Sequence, residues 1–98
     1  MEGEALTVLA RAGLEHGEPS TAAAHARAAL AVHRATGHLA GRARSLLLLG
    51  DAVDREGGEN ASTYWKEALG LFDGLGASEA TVVRRRLAAL QAVPNSSA

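Results

Sequence analysis

The chain has 98 residues, 47% of them apolar but only 3% aromatic, with a formal net charge of −1 and no cysteine. That length holds one domain with a modest core. The missing cysteine excludes disulfides, thiolate metal sites and thiol catalysis, and the balanced charge gives no overall attraction to nucleic acid or anionic membrane. No apolar run approaches the ~20 residues needed to span a bilayer and nothing resembles a signal peptide, so a soluble, cytoplasmic chain is expected.

Apolar bulk must come from Leu, Val and much Ala, the residue with the highest helix propensity, whereas core strands need the β-branched and aromatic types that are scarce here. The first predicted helix covers 2–16, with Leu6, Leu9 and Gly13 spaced i, i+3, i+7. Gly17-Glu18-Pro19 interrupts it, and Pro19 suits the first turn of the next helix, over 19–35, striped by Ala22, His25 or Ala26, and Ala29. Thr36-Gly37-His38 separates this from a third helix over 39–56. Gly57-Gly58-Glu59-Asn60 leads to a fourth over 60–73, with Ala61, Tyr64 or Trp65, and Ala68 on one face. Gly74-Leu75-Gly76 precedes a last helix over 78–92, striped by Ala80, Val83, Leu87 and Leu90, and a disordered tail is expected over 94–98. Each Gly after an apolar run suits the left-handed residue that ends a helix, and Asn60 and Ser78 are candidate N-caps. Loops this short force consecutive helices to lie antiparallel. The expected fold class is all-α.

An internal repeat runs through these elements. Gly17-Glu18 recurs as Gly58-Glu59, Ala22 with Ala29-Leu30 as Ala61 with Ala68-Leu69, and Gly37 as Gly76. The period of about 40 residues marks a helix–turn–helix unit that must be stacked on neighbours to bury both faces. The pattern resembles the tetratricopeptide repeat. Leu46, Leu49-Gly50, Gly57, Ala61 and Ala68-Leu69 match it in the second unit, and Leu9, Gly17, Ala22 and Ala29-Leu30 in the first. Ala10 replaces the usual helix glycine of the first unit, Gly13 and Val53 stand where a tyrosine is usual, and the closing proline is missing from both. The resemblance implies an α-solenoid: repeat one over 2–38, repeat two over 39–76 and a terminal helix over 78–92, within a single domain spanning 1–93. Arg44, Leu46, Leu47, Leu49, Gly50 and Asp51 carry a further likeness to the C-terminal repeat arrays of large actinobacterial transcriptional regulators with a nucleotide-binding switch domain.

In such an array the first helix of each unit lines a concave groove. The resemblance places Thr7, Arg11 and Leu14 there from the first unit, and Arg44, Leu47, Asp51, Asp54 and Arg55 from the second. Leu9, Ala22, Ala29, Leu46, Leu49, Gly50, Ala61, Trp65 and Ala68 are then the packing positions. Leu46-Leu47-Leu48-Leu49 points in four directions 100° apart, so that helix must be covered all round. Either a bound partner or the neighbouring helices could supply the cover.

Other constellations carry less. His25 and His33 are eight apart, about 12 Å by helical rise, too far to share an ion. No Cys or carboxylate completes a tetrahedral set around any histidine, so helix-end and surface histidines are expected, and no metal or cofactor. Arg84-Arg85-Arg86 invites a nucleic-acid reading, but three consecutive residues fan over about 200° of helix and no aromatic interleaves them. A solvated outer face is the expectation, with DNA binding through this run as the alternative. Trp65 and Phe72, seven apart, are expected in the core. Gly74-Leu75-Gly76 lacks the rest of a dinucleotide fingerprint and there is no nucleophile elbow, so no enzyme is expected. The function anticipated is a protein-interaction or self-association scaffold, with a protein or peptide partner or a second copy of the chain.

Overall fold

The computed structural model describes residues 2–91. Five helices follow one another: α1 (Glu2–Glu15), α2 (Pro19–Thr36), α3 (Leu39–Arg55), α4 (Ala61–Leu75) and α5 (Glu79–Gln91). There is no strand among the described residues. Each helix packs on the next, and α1 also reaches α3, within an envelope of 48 × 30 × 18 Å. The tail expected over 94–98 lies outside the described residues.

The four turns close in the same way. The N–H groups of Glu18, His38, Gly58 and Ala77 donate to carbonyls five residues back, on Gly13, His33, Val53 and Phe72, at 2.7–2.9 Å. Such a bond wraps the chain around one left-handed residue. Gly37 and Gly76 supply it after α2 and α4 with φ of 71° and 66°, a region that a Cβ disfavours. The α4 helix therefore runs through Gly74 and ends only at Gly76, two residues later than its sequence suggested. Pro19 opens α2 as expected. Asn60 makes no side-chain capping bond. The side-chain cap on α3 comes instead from His38, whose Nδ1 accepts the Gly41 N–H at 2.8 Å.

The core is built largely of small residues. Ala10, Ala22, Ala26, Ala29, Ala43, Ala52, Ala61 and Ala68 are all buried, with Leu46, Leu49, Trp65 and Phe72 providing bulk. Close approach is clear at Gly50, where a Cβ would lie 2.5 Å from the Trp65 ring. The helix glycine of the repeat pattern thus leaves room for the indole. Of the four leucines encircling α3, Leu46, Leu48 and Leu49 are buried by neighbouring helices and Leu47 is half-buried.

The structure corrects two readings. Leu9, expected at a packing position, is 47% exposed. The buried stripe of α1 is Gly3, Thr7, Ala10 and Leu14, with Gly13 set against Ala22. Thr7 can enter because its hydroxyl donates to the Gly3 carbonyl at 2.8 Å, so its polar atom is satisfied inside the helix. Rotating α1 to bury Thr7, Gly13 and Leu14 turns Leu9 to a side that no helix among the described residues covers. His33, expected at the surface, is 5% exposed. Its ring fills a slot between α1 and α3 where Gly3 and Gly41 have no side chain, and a Cβ on either would fall within 2.5 Å of the ring. Ser45 on α3 repeats the Thr7 arrangement, donating to the Gly41 carbonyl at 2.9 Å.

Candidate partner-binding furrow

The alternate helices α1, α3 and α5 line a furrow of three adjoining depressions. The first, about 320 Å³, has Thr7 and Arg11 from α1 and Arg44 from α3 in its walls. A second, about 300 Å³, lies between Arg11, Leu14, Arg44, Leu47, Asp51 and Arg55, with Glu79 and Arg86 of α5 on its far side. The third, about 450 Å³, continues past Asp51, Asp54, Arg55 and Trp65 to Arg86, Ala89 and Leu90. Shared walls of Arg11 and Arg44 join the first to the second, and Asp51, Arg55 and Arg86 join the second to the third. All eight residues placed on a groove face by sequence are therefore brought to one surface. Their parts differ. Thr7 and Leu14 are buried and form the floor, while Arg11, Asp54 and Arg55 are exposed on the walls.

The walls are held by ion pairs between helices. Asp51 is the centre of the arrangement. Its carboxylate receives both Nε and Nη2 of Arg86, at 2.5 and 3.0 Å, and the Trp65 Nε1–H at 3.1 Å. The planar guanidinium suits this two-point grip, and a carboxylate held so fixes α5 to α3 and α4 at once. The bonds to Asp51 hold the Arg86 guanidinium above its ordinary range against the opposing effect of burial, with the Asp51 and Asp54 charges adding to them. Arg44 reaches Glu79 of α5 at 3.5 Å, and Arg55 donates to the Leu14 carbonyl at 2.5 Å, adding a second bond to an acceptor that also receives the Gly17 N–H at the end of α1. On the opposite face Glu67 of α4 accepts from Arg34 of α2 and Arg42 of α3, each at 3.4 Å.

The α5 residues of the furrow were not legible as such. Arg86 belongs to a run expected to be a solvated outer face; Arg84 and Arg85 are exposed as expected, and Arg86 alone turns in from it. Arg84 pairs with Asp73 at 2.5 Å and Arg86 with Asp51. Two of three cations in the run are thus neutralised by the chain's own aspartates, which leaves no basic stripe. The signal available was positional. If α5 is a third first-type helix, its inward face must carry partners for Arg44 and Asp51, as Glu79 and Arg86 do. Leu90, read as part of the buried stripe of α5, is 38% exposed and lines the furrow.

His33 and His38 meet at the α1 end of the furrow, ring centroids 5.1 Å apart. Burial holds His33 below the ordinary histidine range, with the His38 charge pulling the same way and the Gly3 backbone and Glu4 opposing. Its Nε2 is buried without a hydrogen-bond partner. No group of three or more potential metal ligands comes together among the described residues. None of the described helices is long and apolar enough to cross a membrane. Compared with protein-family models, curated proteins and solved structures, the chain has no match.

Proposed function

We propose that this chain is a non-catalytic, tetratricopeptide-like interaction scaffold whose furrow receives a peptide segment or helix of a protein partner. The observation that carries this reading is the furrow itself. It crosses α1, α3 and α5 and gathers all eight groove positions of the repeat pattern, with charged side chains of both signs around a floor of Thr7 and Leu14. Such a surface recognises an extended or helical segment by side-chain pockets and polar walls. Four turns of one geometry support the repeat assignment. By the wording of α3, the larger setting is a repeat array of a cytoplasmic transcriptional regulator.

Selection from a displayed peptide library against the immobilised protein tests this. Binding peptides are expected to lose affinity when Arg11→Glu or Arg55→Glu reverses a wall charge, with helix content unchanged. Peptides indifferent to both changes, or none selected at all, would overturn the reading. The DNA alternative is disfavoured by the pairing of Arg84 and Arg86. It predicts salt-sensitive duplex binding, since phosphate contacts release counterions; none is expected here.

A further inference from the structure

The outer sides of the two terminal helices are complementary to each other, and apart from Val8 and Ala89 at its rim they lie outside the furrow. The α1 helix carries two apolar seams. The inner one is buried. The outer one, Ala5, Val8, Leu9 and Ala12, follows the i, i+3, i+4, i+7 spacing of a helix face meant to be covered. Val8 and Leu9 are 60% and 47% exposed, and nothing else among the described residues lies over them. Val8 sits at the furrow rim, whereas Leu9 points away from it. At the other end, α5 packs chiefly on α4, and its outward side presents Thr81, Val82, Arg85, Ala88 and Ala89, all exposed. Apart from Arg85, these side chains are small enough to let a second helix approach closely.

Charge distinguishes the possible pairings. The α1 helix holds three glutamates and one arginine, a net −2, while the charge on the outer face of α5 is the cation of Arg85, since Arg84, Arg86 and Glu79 are paired within the chain. Glu2 and Glu15, which flank the outer seam of α1, and Arg85, in the middle of the outer face of α5, make no ion pair with the described residues. An antiparallel pairing of α1 with its own copy, centred on Val8 and Leu9, would set Glu2 against Glu15. A pairing of α5 with its copy would set arginine against arginine. Only α1 against α5 brings opposite charges to the rims of the apolar contact.

We infer that copies of this chain associate head to tail, the outer face of α1 of one copy seating on the outer face of α5 of the next. A contact between two different patches leaves a free patch at each end, so association continues beyond a dimer unless the rotation closes it into a ring.

Sedimentation of the full chain, from low micromolar to about 1 mM, is the test, with circular dichroism as a check on folding. The wild type is expected to rise in mass past that of a dimer, less so at high salt. Leu9→Glu blocks one end and Arg85→Glu the other. Each alone should weaken association at least about tenfold without loss of helix, both positions being exposed. An equimolar mixture of the two variants retains one intact α1 face and one intact α5 face, and should give a heterodimer and nothing larger. A wild type that stays monomeric throughout overturns the inference. So does an Arg85→Glu variant that associates as well as wild type, which would mean like faces pairing, or a mixture that remains monomeric.

Discussion

The two hairpins share turn geometry and solve the packing problem differently. In α3–α4 the space between helices is filled by bulk. Trp65 lies in the gap left by Gly50, and Phe72, Leu46 and Leu49 are essentially inaccessible. In α1–α2 the space is closed by bringing backbones together. Gly13 meets Ala22, while Ala10, Ala26 and Ala29 are fully buried, and Leu14, Leu30 and a histidine ring between Gly3 and Gly41 are the large groups buried there. A similar hairpin can therefore rest on apolar volume or on closeness of approach. The first depends on one large side chain and the second on the absence of side chains.

The largest break in that comparison is expected at the aromatic. Trp65→Ala removes the filling of the second hairpin and the donor to Asp51, and should cost about 3–5 kcal/mol in urea unfolding. A loss below 1 kcal/mol would mean that α3 and α4 collapse to the close-packed arrangement of α1 and α2. Overfilling is the next test. Ala68, fully buried in α4, should not accept a leucine, and Ala68→Leu is expected to cost about 1–3 kcal/mol.

The histidine joint of the first hairpin can be tested with protons. His33 is held below its ordinary value of about 6.5, so below that pH the unfolded chain binds the proton more readily than the folded one. Its contribution is whole above about pH 6.5 and is lost as the pH falls from there through the folded value. The urea midpoint should decline in that window, and His33→Gln should flatten the decline at the expense of some stability at pH 8. An undiminished slope in the variant would place the titration elsewhere. The smallest effect concerns a glycine that serves neither strategy. A Cβ on Gly70 of α4 meets nothing within 4 Å, so Gly70→Ala should raise stability by about 0.5–1 kcal/mol through helix propensity alone. Gly50→Ala, which drives a Cβ into the Trp65 ring, should do the opposite. Thermal melts of the two variants compare them directly.

The helices and turns were legible because their determinants are local. Periodic apolar residues, a left-handed glycine at the turn after each of the first four helices and Pro19 in a first turn act within a few residues of where they stand. The positions gathered in the furrow came from the resemblance to the repeat family and not from local spacing. Leu9 and Thr7 show where local reasoning stops. By residue type Leu9 belongs inside and Thr7 outside. The structure reverses them because Thr7 can satisfy its hydroxyl on its own helix, and because Gly13 and Leu14 must face α2.

His33, Arg86 and Asp51 mark the same boundary in the polar residues. Nothing adjacent to His33 announces that Gly3 and Gly41, on two other helices, leave a slot for its ring. An arginine run on α5 looks uniform until two of its members find aspartates on α3 and α4. The amino-acid sequence by itself determined that this protein is helical and where its helices turn. Only the tertiary structure decided how far α1 rotates, which cations are neutralised and which apolar face of a terminal helix is left uncovered. Those depend on distances between residues some 10 to 40 positions apart, and such distances are set by how closely small side chains let neighbouring backbones approach.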